Sequence, residues 1–388
     1  MKTLIELYDE RPIENVLATE TFRPEETVII CPPEVDANRA LKRSLEKYFA
    51  HRNCPVKLTF LPTSLLDSQK IGKRLLQVLE THDDCAIDIA GGTDAALFAA
   101  GSVAGDTPVF TYSRKKNAFF DIKNAAFARD LPCSVRLDAE SCLLMAGGTL
   151  LKGRADNSRL REYLPAVEKL FRVFSRFRRE WQRQISYVQR VSSSEPGVLS
   201  VCAPRTAKAD HGTVTANPQL FEALAEEGLI LDLEIERDEI RFEFPDETIR
   251  FWLRDIGSVL ELQVYRACLA AECFDDVVLS AVVNWEGGAS QRDGVTNEID
   301  VMAVRGVQPV FISCKTSEIK TEALNELAIL RDRFGGKGSR AIIVTSSTVS
   351  DEDSPMRRRA DELNIEVIEW RELALDQLVK RLRMQPAG

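Results

Sequence analysis

The chain has 388 residues, of which 44% are hydrophobic, and its 51 Lys and Arg residues against 60 Asp and Glu residues give a formal net charge of −9. This length predicts two or three domains. No run approaches the roughly 18–20 uncharged apolar residues that a membrane helix needs, and Met1–Asp9 lacks the basic-then-apolar order of a secretory signal. We therefore expect a cytoplasmic protein without a membrane partner.

Cysteine and histidine usage limits the kinds of site that the chain can build. The nine cysteines are scattered, odd in number and never arranged as C-x-x-C, which argues against a zinc ribbon or a disulfide scaffold. With three histidines (His51, His82 and His211), a His-rich metal centre is excluded. Any metal ion is therefore expected to bind mainly to carboxylates.

The first 150 residues alternate short apolar runs with amphipathic segments. Each run carries β-branched or aromatic residues and is bounded by polar or turn residues, which is typical of strands. These predicted strands are Thr3–Tyr8, Thr27–Cys31, Val56–Leu61, Cys85–Ala90 and Pro108–Tyr112. Helical spacing of apolar residues marks Ala37–Ala50 and Lys70–Leu79 between them. The alternation predicts an α/β fold with a doubly wound, Rossmann-like sheet over residues 1–150, where ligands bind beyond the carboxyl ends of the strands.

A strongly basic helical segment follows. Lys152–Arg190 contains eleven Lys and Arg residues against four Asp and Glu residues, a local balance of 11 − 4 = +7 in an acidic chain. Its arginines would suit a phosphate backbone, whereas Phe174 and Trp181 belong to a hydrophobic face suited to packing or dimerisation. Both interpretations stay open. Together with the linker signal at Ser192–Gly197, the segment predicts a basic helical connector over residues 151–197.

The remaining sequence predicts a small element and then a second α/β domain. Residues 198–250 are expected to form a winged-helix-like or hairpin element, and residues 251–388 the second domain. The predicted elements are helix Pro218–Gly228, a hairpin of Leu229–Glu234 and Glu239–Phe244, helix Leu253–Ala271, strands Asp276–Trp285, Glu298–Arg305 and Val310–Lys315, helix Thr321–Phe334, strand Arg340–Thr345 and a closing helix–strand–helix from Pro355.

The strongest chemical signal lies in the last third of the chain. Asp300 lies on one predicted strand and Lys315 ends the next, so a tight connection would bring the two side chains together. A carboxylate on a strand can hold Mg²⁺ or Mn²⁺, and a nearby Lys positions a water or neutralises a phosphate. Glu261 on the long helix offers a further carboxylate. The structural alternative is an ordinary cross-strand ion pair.

This order of a helix Glu, a strand Asp and a hairpin-linked strand ending in Lys resembles the PD-(D/E)xK restriction-endonuclease-like superfamily, over roughly Leu253–Thr345. The resemblance implies a C-terminal restriction-endonuclease-like α/β domain that uses Mn²⁺ or Mg²⁺. The implied residues are Asp300, Lys315, Glu261 and Ser313 for catalysis and Glu261, Glu298 and Asp300 for the metal. Ser313 departs from the superfamily, which usually has Glu or Asp two residues before the Lys. Either the other carboxylates or waters compensate, or the site is weakened.

A second signal follows a predicted strand of the first domain. The segment Asp88–Asp94 leaves that strand through Gly91 and Gly92 and opens a helix, and the first strand ends similarly at Asp9–Asn15. Glycines let the backbone approach a ligand closely, and amides at a helix start favour a phosphate or a ribose edge. A tight turn without a ligand is the plain alternative. The motif is neither G-x-G-x-x-G nor a P-loop, so a nicotinamide cofactor or ATP is poorly supported.

A Rossmann-like domain with a strand–Gly-Gly-Thr–helix motif, joined through basic helices to a PD-(D/E)xK-like domain, resembles the CARF-domain nucleases of type III CRISPR immunity. CARF denotes a CRISPR-associated Rossmann fold, and the resemblance spans nearly the whole chain. It implies a homodimer whose paired CARF domains bind a cyclic oligoadenylate, preferentially cyclic tetra-adenylate, which activates metal-dependent cleavage of DNA or RNA. The candidate ligand-binding residues are Asp9, Asn15, Gly91, Gly92, Thr93 and Asp94.

Three other functions stay open. The Arg205–His211 segment has the Arg-to-His separation of the HEPN ribonucleases, although it lies outside an obvious long helix. A restriction or repair nuclease with an unrelated nucleotide-sensing domain would share the Asp300 site. A nucleotide-regulated binding protein whose nuclease fold has lost its chemistry is compatible with Ser313.

Overall fold

The computed structural model describes residues 1–151, 157–209, 212–287, 294–348 and 354–384. Within these ranges the chain forms two large β-sheets and two small ones, with helices packed against the large sheets. The α/β class predicted from the sequence is confirmed. Among the same residues, no helix combines the length and the apolar composition that crossing a bilayer requires.

The first large sheet contains seven strands in the order β3-β2-β1-β4-β5-β6-β7, of which the first five are parallel. Its strands are β1 (Thr3–Leu7), β2 (Glu26–Cys31), β3 (Lys57–Pro62), β4 (Cys85–Asp88), β5 (Val109–Ser113), β6 (Ala118–Lys123) and β7 (Leu131–Pro132). The helices of this part are α1 (Leu17–Phe22), α2 (Pro33–Asn38), α3 (Ala40–His51), α4 (Ser68–Thr81), α5 (Asp94–Val103) and α6 (Ala139–Met145). Strand order reverses between β1 and β4, so their carboxyl ends frame the crevice where such sheets bind ligands.

Two predicted elements in this sheet end elsewhere than the sequence pattern indicated. The helix expected over Ala37–Ala50 is two helices, because Arg39 between α2 and α3 has a left-handed φ of +54° that α-helix geometry does not accept. The strand expected over Cys85–Ala90 stops at Asp88, whose side chain accepts a hydrogen bond from the Ala90 N–H at 2.8 Å. That local bond starts the turn into α5.

The middle of the chain contains the basic helices and the two small sheets. The elements are β8 (Thr149–Leu151), α7 (Asn157–Leu160), α8 (Leu164–Phe177), α9 (Trp181–Val191), β9 (Ser200–Pro204), β10 (Thr206–Ala209), β11 (Gly212–Thr215), α10 (Pro218–Glu226), β12 (Leu231–Ile235), β13 (Glu239–Glu243) and α11 (Glu247–Leu253). Strands β12, β13 and β9 form one antiparallel sheet, and β10 pairs with β11 in a hairpin. The Arg205–His211 segment therefore lies largely on a strand, and its His211 lies outside the described residues.

The hydrophobic face of the basic helices is buried within the chain. Phe174 and Trp181 are at most 1% exposed and pack in one core with Leu260 and Val264. Burying an aromatic side chain contributes roughly 1.5–3 kcal/mol, which accounts for the apolar spacing seen in the sequence. Arginines cover the opposite face.

The second large sheet has six strands in the order β18-β17-β16-β15-β14-β8. Its remaining elements are α12 (Ser258–Ala270), β14 (Asp276–Asn284), β15 (Thr296–Arg305), β16 (Gln308–Lys315), α13 (Thr321–Phe334), β17 (Arg340–Thr345), α14 (Pro355–Glu362), β18 (Ile365–Ile368) and α15 (Leu375–Arg383). Strand β8 pairs with β14, so residues 149–151 belong to this sheet. A shared core joins the two large sheets, with Tyr48 and Phe110 on one side and Ala281 and Phe311 on the other.

Candidate functional site

The carboxylate of Asp300 lies where two neighbouring strands separate. β15 and β16 pair as far as Val301 and Ile312, where the ladder stops. Just beyond, Oδ2 of Asp300 accepts hydrogen bonds from the Cys314 N–H at 2.6 Å and from the Ser313 hydroxyl at 3.1 Å. The carboxylate thereby accepts a hydrogen bond from the Cys314 N–H, which the pairing of β15 with β16 does not reach. Oδ1, the other carboxylate oxygen, has no hydrogen bond to the described residues.

A local irregularity changes the face of the sheet at this point. Ser280, which the register puts opposite Asp300, has a left-handed φ of +50°. On β15, Ile299 packs into the core between the two large sheets, whereas Val301 packs into the core under α12. Residues two apart on a regular strand share a face. Ile299 and Val301 do not, so the side chains of β15 change face at Asp300. Such departures from regular geometry are concentrated at functional sites.

Lys315 completes the pair that the sequence predicted. Its Nζ lies 3.7 Å from Oδ2 of Asp300, and its side chain is 36% exposed. An amine this close to a carboxylate and still open to solvent can reach a second anion. The structure therefore brings Asp300, Ser313 and Lys315 together at the end of β16.

Glu261 approaches the same point from α12. Burial, with the charges of Asp300, Asp255 and Glu298 adding to it and Lys315 opposing, raises the pKa of Glu261 to about 8. Gly257 makes room for this carboxylate, because a Cβ at that position would lie 2.8 Å from Oε1 of Glu261. The predicted helix Glu therefore shares an electrostatic environment with the strand residues.

The chemistry of these side chains fits a divalent cation in part. Carboxylates that repel one another, as the raised pKa of Glu261 records, are stabilised by a cation between them. Mg²⁺ needs one or two protein carboxylates and keeps several waters. In the described ranges, however, no three His, Cys, Asp or Glu side chains are grouped closely enough to hold a metal. Glu298 is exposed on β15 and its charge acts on Glu261, whereas Asp300 and Glu261 are the two more buried donors.

The basic connector reaches this site. Gln182 donates a hydrogen bond to the carbonyl of Thr316, the residue after Lys315, at 3.2 Å. Arg178 donates to the carbonyl of Ser346 just after β17, and its guanidinium lies 4.4 Å from the Trp370 ring centroid. The junction of α8 and α9 is thus held against the carboxyl ends of β16 and β17.

A second candidate site lies at the carboxyl ends of the first sheet. A cleft of about 1880 Å³ opens there and extends to α13 of the second large sheet. Of the six predicted ligand residues, Asp9, Gly92 and Thr93 line it, whereas Asn15, Gly91 and Asp94 do not. The cleft is large enough for a ligand of several nucleotides.

Asp9 and Asn15 shape the loop after β1. The Asn15 side chain is buried, donating to the Asp9 carbonyl at 2.8 Å and accepting from the Asp9 N–H at 3.1 Å. Burial alone would raise the pKa of Asp9, but hydrogen bonds from Arg11 and from the Gly92 backbone hold it below its ordinary value. Both side chains therefore brace the loop, and Asp9 adds a negative charge to the cleft.

The two glycines are required by packing around this loop. Gly92 has a φ of +101°, and a Cβ there would lie 2.8 Å from the Leu7 Cβ. A Cβ at Gly91 would lie 2.8 Å from the Asp9 Cβ. Of the amides at the start of α5, the Ala96 N–H donates to the Thr93 hydroxyl at 3.3 Å. Thr93 caps α5, and its hydroxyl donates to the Leu65 carbonyl at 2.7 Å.

Sequence reasoning missed the cations of the cleft. Arg11 follows β1, Arg43 and Lys47 lie on α3, and Arg333 ends α13. The four-residue spacing of Arg43 and Lys47 was the available signal, because it puts both on one face of a helix. Carboxylates line the same cleft, and Arg11 is paired with one of them, Asp9, at 2.8 Å, so the cleft has a mixed charge.

A buried acidic pair under the cleft was also missed. Glu6 and Asp88 face each other on adjacent parallel strands and are at most 1% exposed. Burial raises the pKa of both carboxyls, with Asp88 and Glu14 adding to the shift at Glu6. Nearby, Glu14 accepts a hydrogen bond from Arg114 at 2.6 Å. An acidic residue inside an apolar strand was the signal for this pair.

Comparison with known families identifies the C-terminal part. Residues 246–384 match the family model described as Card1-like, endonuclease domain. That range contains every residue of the Asp300 site described above. No curated protein matches the chain.

Solved structures share the fold along almost the whole chain. Protein VC1899 from Vibrio cholerae is 17% identical with a TM-score of 0.74, covering 98% of this chain and 97% of that one. Can2 from Sulfobacillus thermosulfidooxidans, solved in complex with cyclic tetra-adenylate, is 14% identical with a TM-score of 0.70, covering 97% and 98%.

A third similar structure is a type III CRISPR defence DNA nuclease activated by cyclic oligoadenylate. It is 15% identical with a TM-score of 0.51, and the match covers 99% of this chain and 52% of that one. At these identities the similarity shows the fold. The chain therefore shares its fold with these three structures, and its residues 246–384 match the Card1-like endonuclease domain.

Proposed function

We propose that this protein is a nuclease that a cyclic oligoadenylate activates in type III CRISPR defence. The observation that carries the proposal is the grouping of Asp300, Lys315 and Glu261 inside the Card1-like endonuclease domain. Similar structures include one bound to cyclic tetra-adenylate and one activated by cyclic oligoadenylate. The cleft of the first sheet offers Arg11, Arg43, Lys47 and Arg333 to the same ligand class.

Each residue of the site has a task in phosphodiester hydrolysis. Asp300 and Glu261 would hold Mn²⁺ or Mg²⁺, which supplies charge neutralisation at the phosphate. Lys315, open to solvent beside Asp300, binds a phosphate oxygen and offsets the charge that develops there. Ser313 donates a hydrogen bond that orients the Asp300 carboxylate. Ser313 thus takes a supporting task at the position where the superfamily usually has a metal ligand.

The activator is assigned to the first-sheet cleft. A ring of phosphates needs cations, and Arg11, Arg43, Lys47 and Arg333 line the cleft. Gly92 and Thr93 hold the loop at its floor. To act as an activator, the ligand must bind the cleavage-competent state more tightly than the resting state.

A homodimer is supported by α5, which starts at this cleft. The helix has one charged residue, Asp94, yet Phe98 is 70% exposed on its outer side. Leu66, which lines the cleft, is 88% exposed. An all-round apolar helix is normally covered, and a second copy of this chain would cover both residues while offering the same loops to a two-fold ligand.

A cleavage assay tests the proposal. Single- and double-stranded DNA and RNA are incubated with the full-length protein, with each cyclic oligoadenylate or none, and with Mn²⁺, Mg²⁺ or a chelator. We expect cleavage that requires both cyclic tetra-adenylate and a divalent cation. Cleavage at the same rate with and without every cyclic oligoadenylate would instead indicate a restriction or repair nuclease.

The second candidate is a nucleotide-regulated binding protein without nuclease chemistry. It is favoured by Ser313, which leaves the site one carboxylate short, and by the absence of a three-carboxylate group from the described residues. In the same assay it would bind cyclic tetra-adenylate and cleave none of the nucleic acids under any metal condition.

A further inference from the structure

Two exposed arginines border the candidate nuclease site without a carboxylate partner. Arg179 and Arg183 lie at the junction of α8 and α9, and both are exposed. In the described part of the chain, neither forms an ion pair. Arg172 on the same helical face differs, because Glu227 and Glu168 neutralise it at 2.7 and 3.4 Å. The junction therefore carries uncompensated positive charge.

The position of these arginines follows from the anchoring of the junction. Arg178 and Gln182, four residues apart, are hydrogen-bonded to carbonyls at the ends of β17 and β16. Arg179 and Arg183 each follow one of these anchored residues in the chain and are themselves exposed, so the anchored junction presents both to solvent. Because Gln182 contacts Thr316, the residue after Lys315, both arginines border the edge of the sheet that carries the site.

The described residues next to Arg179 and Arg183 in the chain form no ion pair with them. After burial, the charge of Arg179 is the second cause of the lowered pKa of Arg178. Glu180 between them is hydrogen-bonded to Asn217 and so is held on a different side. Adjacent guanidinium groups without a carboxylate are suited to phosphate groups, which they bind in a bidentate manner.

We propose that Arg179 and Arg183 bind the phosphodiester backbone of the nucleic-acid strand whose scissile phosphate lies at Asp300 and Lys315. The inference rests on the proposed nuclease function and adds to it the path of the substrate. A strand that leaves the site past the end of β16 meets the α8–α9 junction next. Contacts of this kind position the strand without reading its sequence.

The salt dependence of binding tests this path. Full-length Asp300→Asn protein, with cyclic tetra-adenylate and a chelator, is titrated with a fluorescent mixed-sequence oligonucleotide as single-stranded DNA, duplex DNA or RNA. Affinity is measured by anisotropy between about 50 and 200 mM salt. Each phosphate contact contributes about 0.7 to the slope of log K against log salt for a single strand and about 0.9 for a duplex.

Arg179→Gln with Arg183→Gln should weaken binding of all three probes and reduce the slope by roughly 1.4 for a single strand or 1.8 for a duplex. Arg179→Lys with Arg183→Lys should keep most of the slope, because it keeps the charge. Arg172→Gln is the matched control and should leave the slope unchanged. Thermal melts of each variant check that these surface changes leave the fold intact.

The possible failures are distinguishable. If the parent protein binds its probes but the double Gln variant keeps the parent slope, the path is wrong while the nuclease proposal stands. An equal loss in Arg172→Gln would also overturn the path, because the effect would then be one of general charge. If the parent binds no probe with or without cyclic tetra-adenylate, and wild-type protein cleaves none, the proposed function itself fails.

Discussion

Asp300 uses its two carboxylate oxygens differently, and this difference sets the first prediction. Oδ2 is hydrogen-bonded to Ser313 and Cys314, whereas Oδ1 has no such bond among the described residues. Asp300→Asn removes the charge and keeps the shape, and Lys315→Ala removes the adjacent cation. Each should lower cleavage by more than about 100-fold. Cyclic tetra-adenylate affinity, measured by calorimetry, should stay at the wild-type value because neither residue lines the cleft. A variant that loses both together would contradict this separation.

The second prediction concerns Ser313 and Glu261. Ser313→Ala should lower cleavage by about 10-fold, at the mild end of the range for groups that orient a ligand, since the shorter Cys314 hydrogen bond still orients Asp300. Glu261→Gln should lower it by about 100-fold or more, because it removes a ligand charge. Mn²⁺ should support a faster reaction than Mg²⁺, which demands a near-ideal octahedron. Initial rates with both ions check this ranking, and the reverse order of the two variants would show that the metal shell is assigned wrongly.

The third prediction uses the buried pair of Glu6 and Asp88. Their folded-state pKa values are raised by burial, whereas unfolded carboxyls titrate near pH 4. Above that pH the native state holds more protons than the unfolded chain, so the stability that these groups contribute is full at low pH and is lost as pH rises toward their folded-state pKa. Asp88→Asn removes one of these titrations and the charge beside Glu6.

Urea unfolding at pH 5, 7 and 9 measures the effect. The variant should show a flatter decline in unfolding free energy with rising pH than the wild type. The Ala90 N–H can still donate to the amide oxygen of the new side chain, so little else changes. Asp106→Asn, an exposed carboxylate near the end of α5, is the control and should keep the wild-type decline. Parallel curves for wild type and Asp88→Asn would refute the prediction.

At the scale of the elements, the loop between β4 and α5 depends on Gly92. A Val there would need a φ of +101° and would place its Cβ against Leu7. Gly92→Val should cost roughly 1–3 kcal/mol of stability and weaken cyclic tetra-adenylate binding by displacing Thr93. Gly101→Ala within α5 is the control, since open space surrounds that position, and it should stabilise the protein by about 0.4–1 kcal/mol. Calorimetry and thermal melts measure both, and wild-type affinity in Gly92→Val would remove this loop from the ligand site.

The basic connector combines the two interpretations that its sequence left open. Its Phe174 and Trp181 face is buried in the core with α12, so the chain itself covers that apolar surface. Arg179 and Arg183 stay exposed at the junction that Arg178 and Gln182 hold against the ends of β17 and β16. Packing and charge use different sides of the same two helices, so a structural role for one face does not compete with a binding role for the other.

At the scale of the whole molecule, the two candidate sites are joined by protein. The shared core connects the large sheets. Arg114 is hydrogen-bonded to Glu14 near the cleft. The Arg114 guanidinium also lies against the turn after α13, since a Cβ at Gly338 would be 2.7 Å from it. A structural change at the cleft can therefore be transmitted to the elements that carry Lys315. This contact is a physical connection, and a coupling energy between the sites needs its own measurement.

The last prediction concerns assembly. Phe98→Glu places a charge on the exposed side of α5 and should convert a dimer into a monomer. A loss of about 1.4 kcal/mol of interface contact should also lower the affinity for cyclic tetra-adenylate at least 10-fold. Folding should be unaffected because Phe98 is already 70% exposed. Ile122→Glu, at a residue 55% exposed on β6, is the matched control. Light scattering after gel filtration gives the mass, and an unchanged dimer in Phe98→Glu would exclude α5 from the interface.

Local sequence patterns were enough to predict the central strands of the two large sheets, the α/β class and the neighbourhood of Asp300 and Lys315. These features depend on short-range rules: apolar periodicity selects each element, and a hairpin between consecutive strands fixes which residues face each other. The resemblance to CARF-domain nucleases followed from that order and from the residues at the strand ends.

Which distant residues share those sites depends on tertiary packing. The charge of Asp300 acts on Glu261, Gln182 contacts Thr316, and Arg333 lines the first-sheet cleft, although the elements that carry these residues are far apart in the chain. No local pattern encodes such contacts, because they depend on how whole sheets and helices pack around a common core. For the same reason Asn15, which looked available for a ligand in the sequence, is turned inward to brace its own loop.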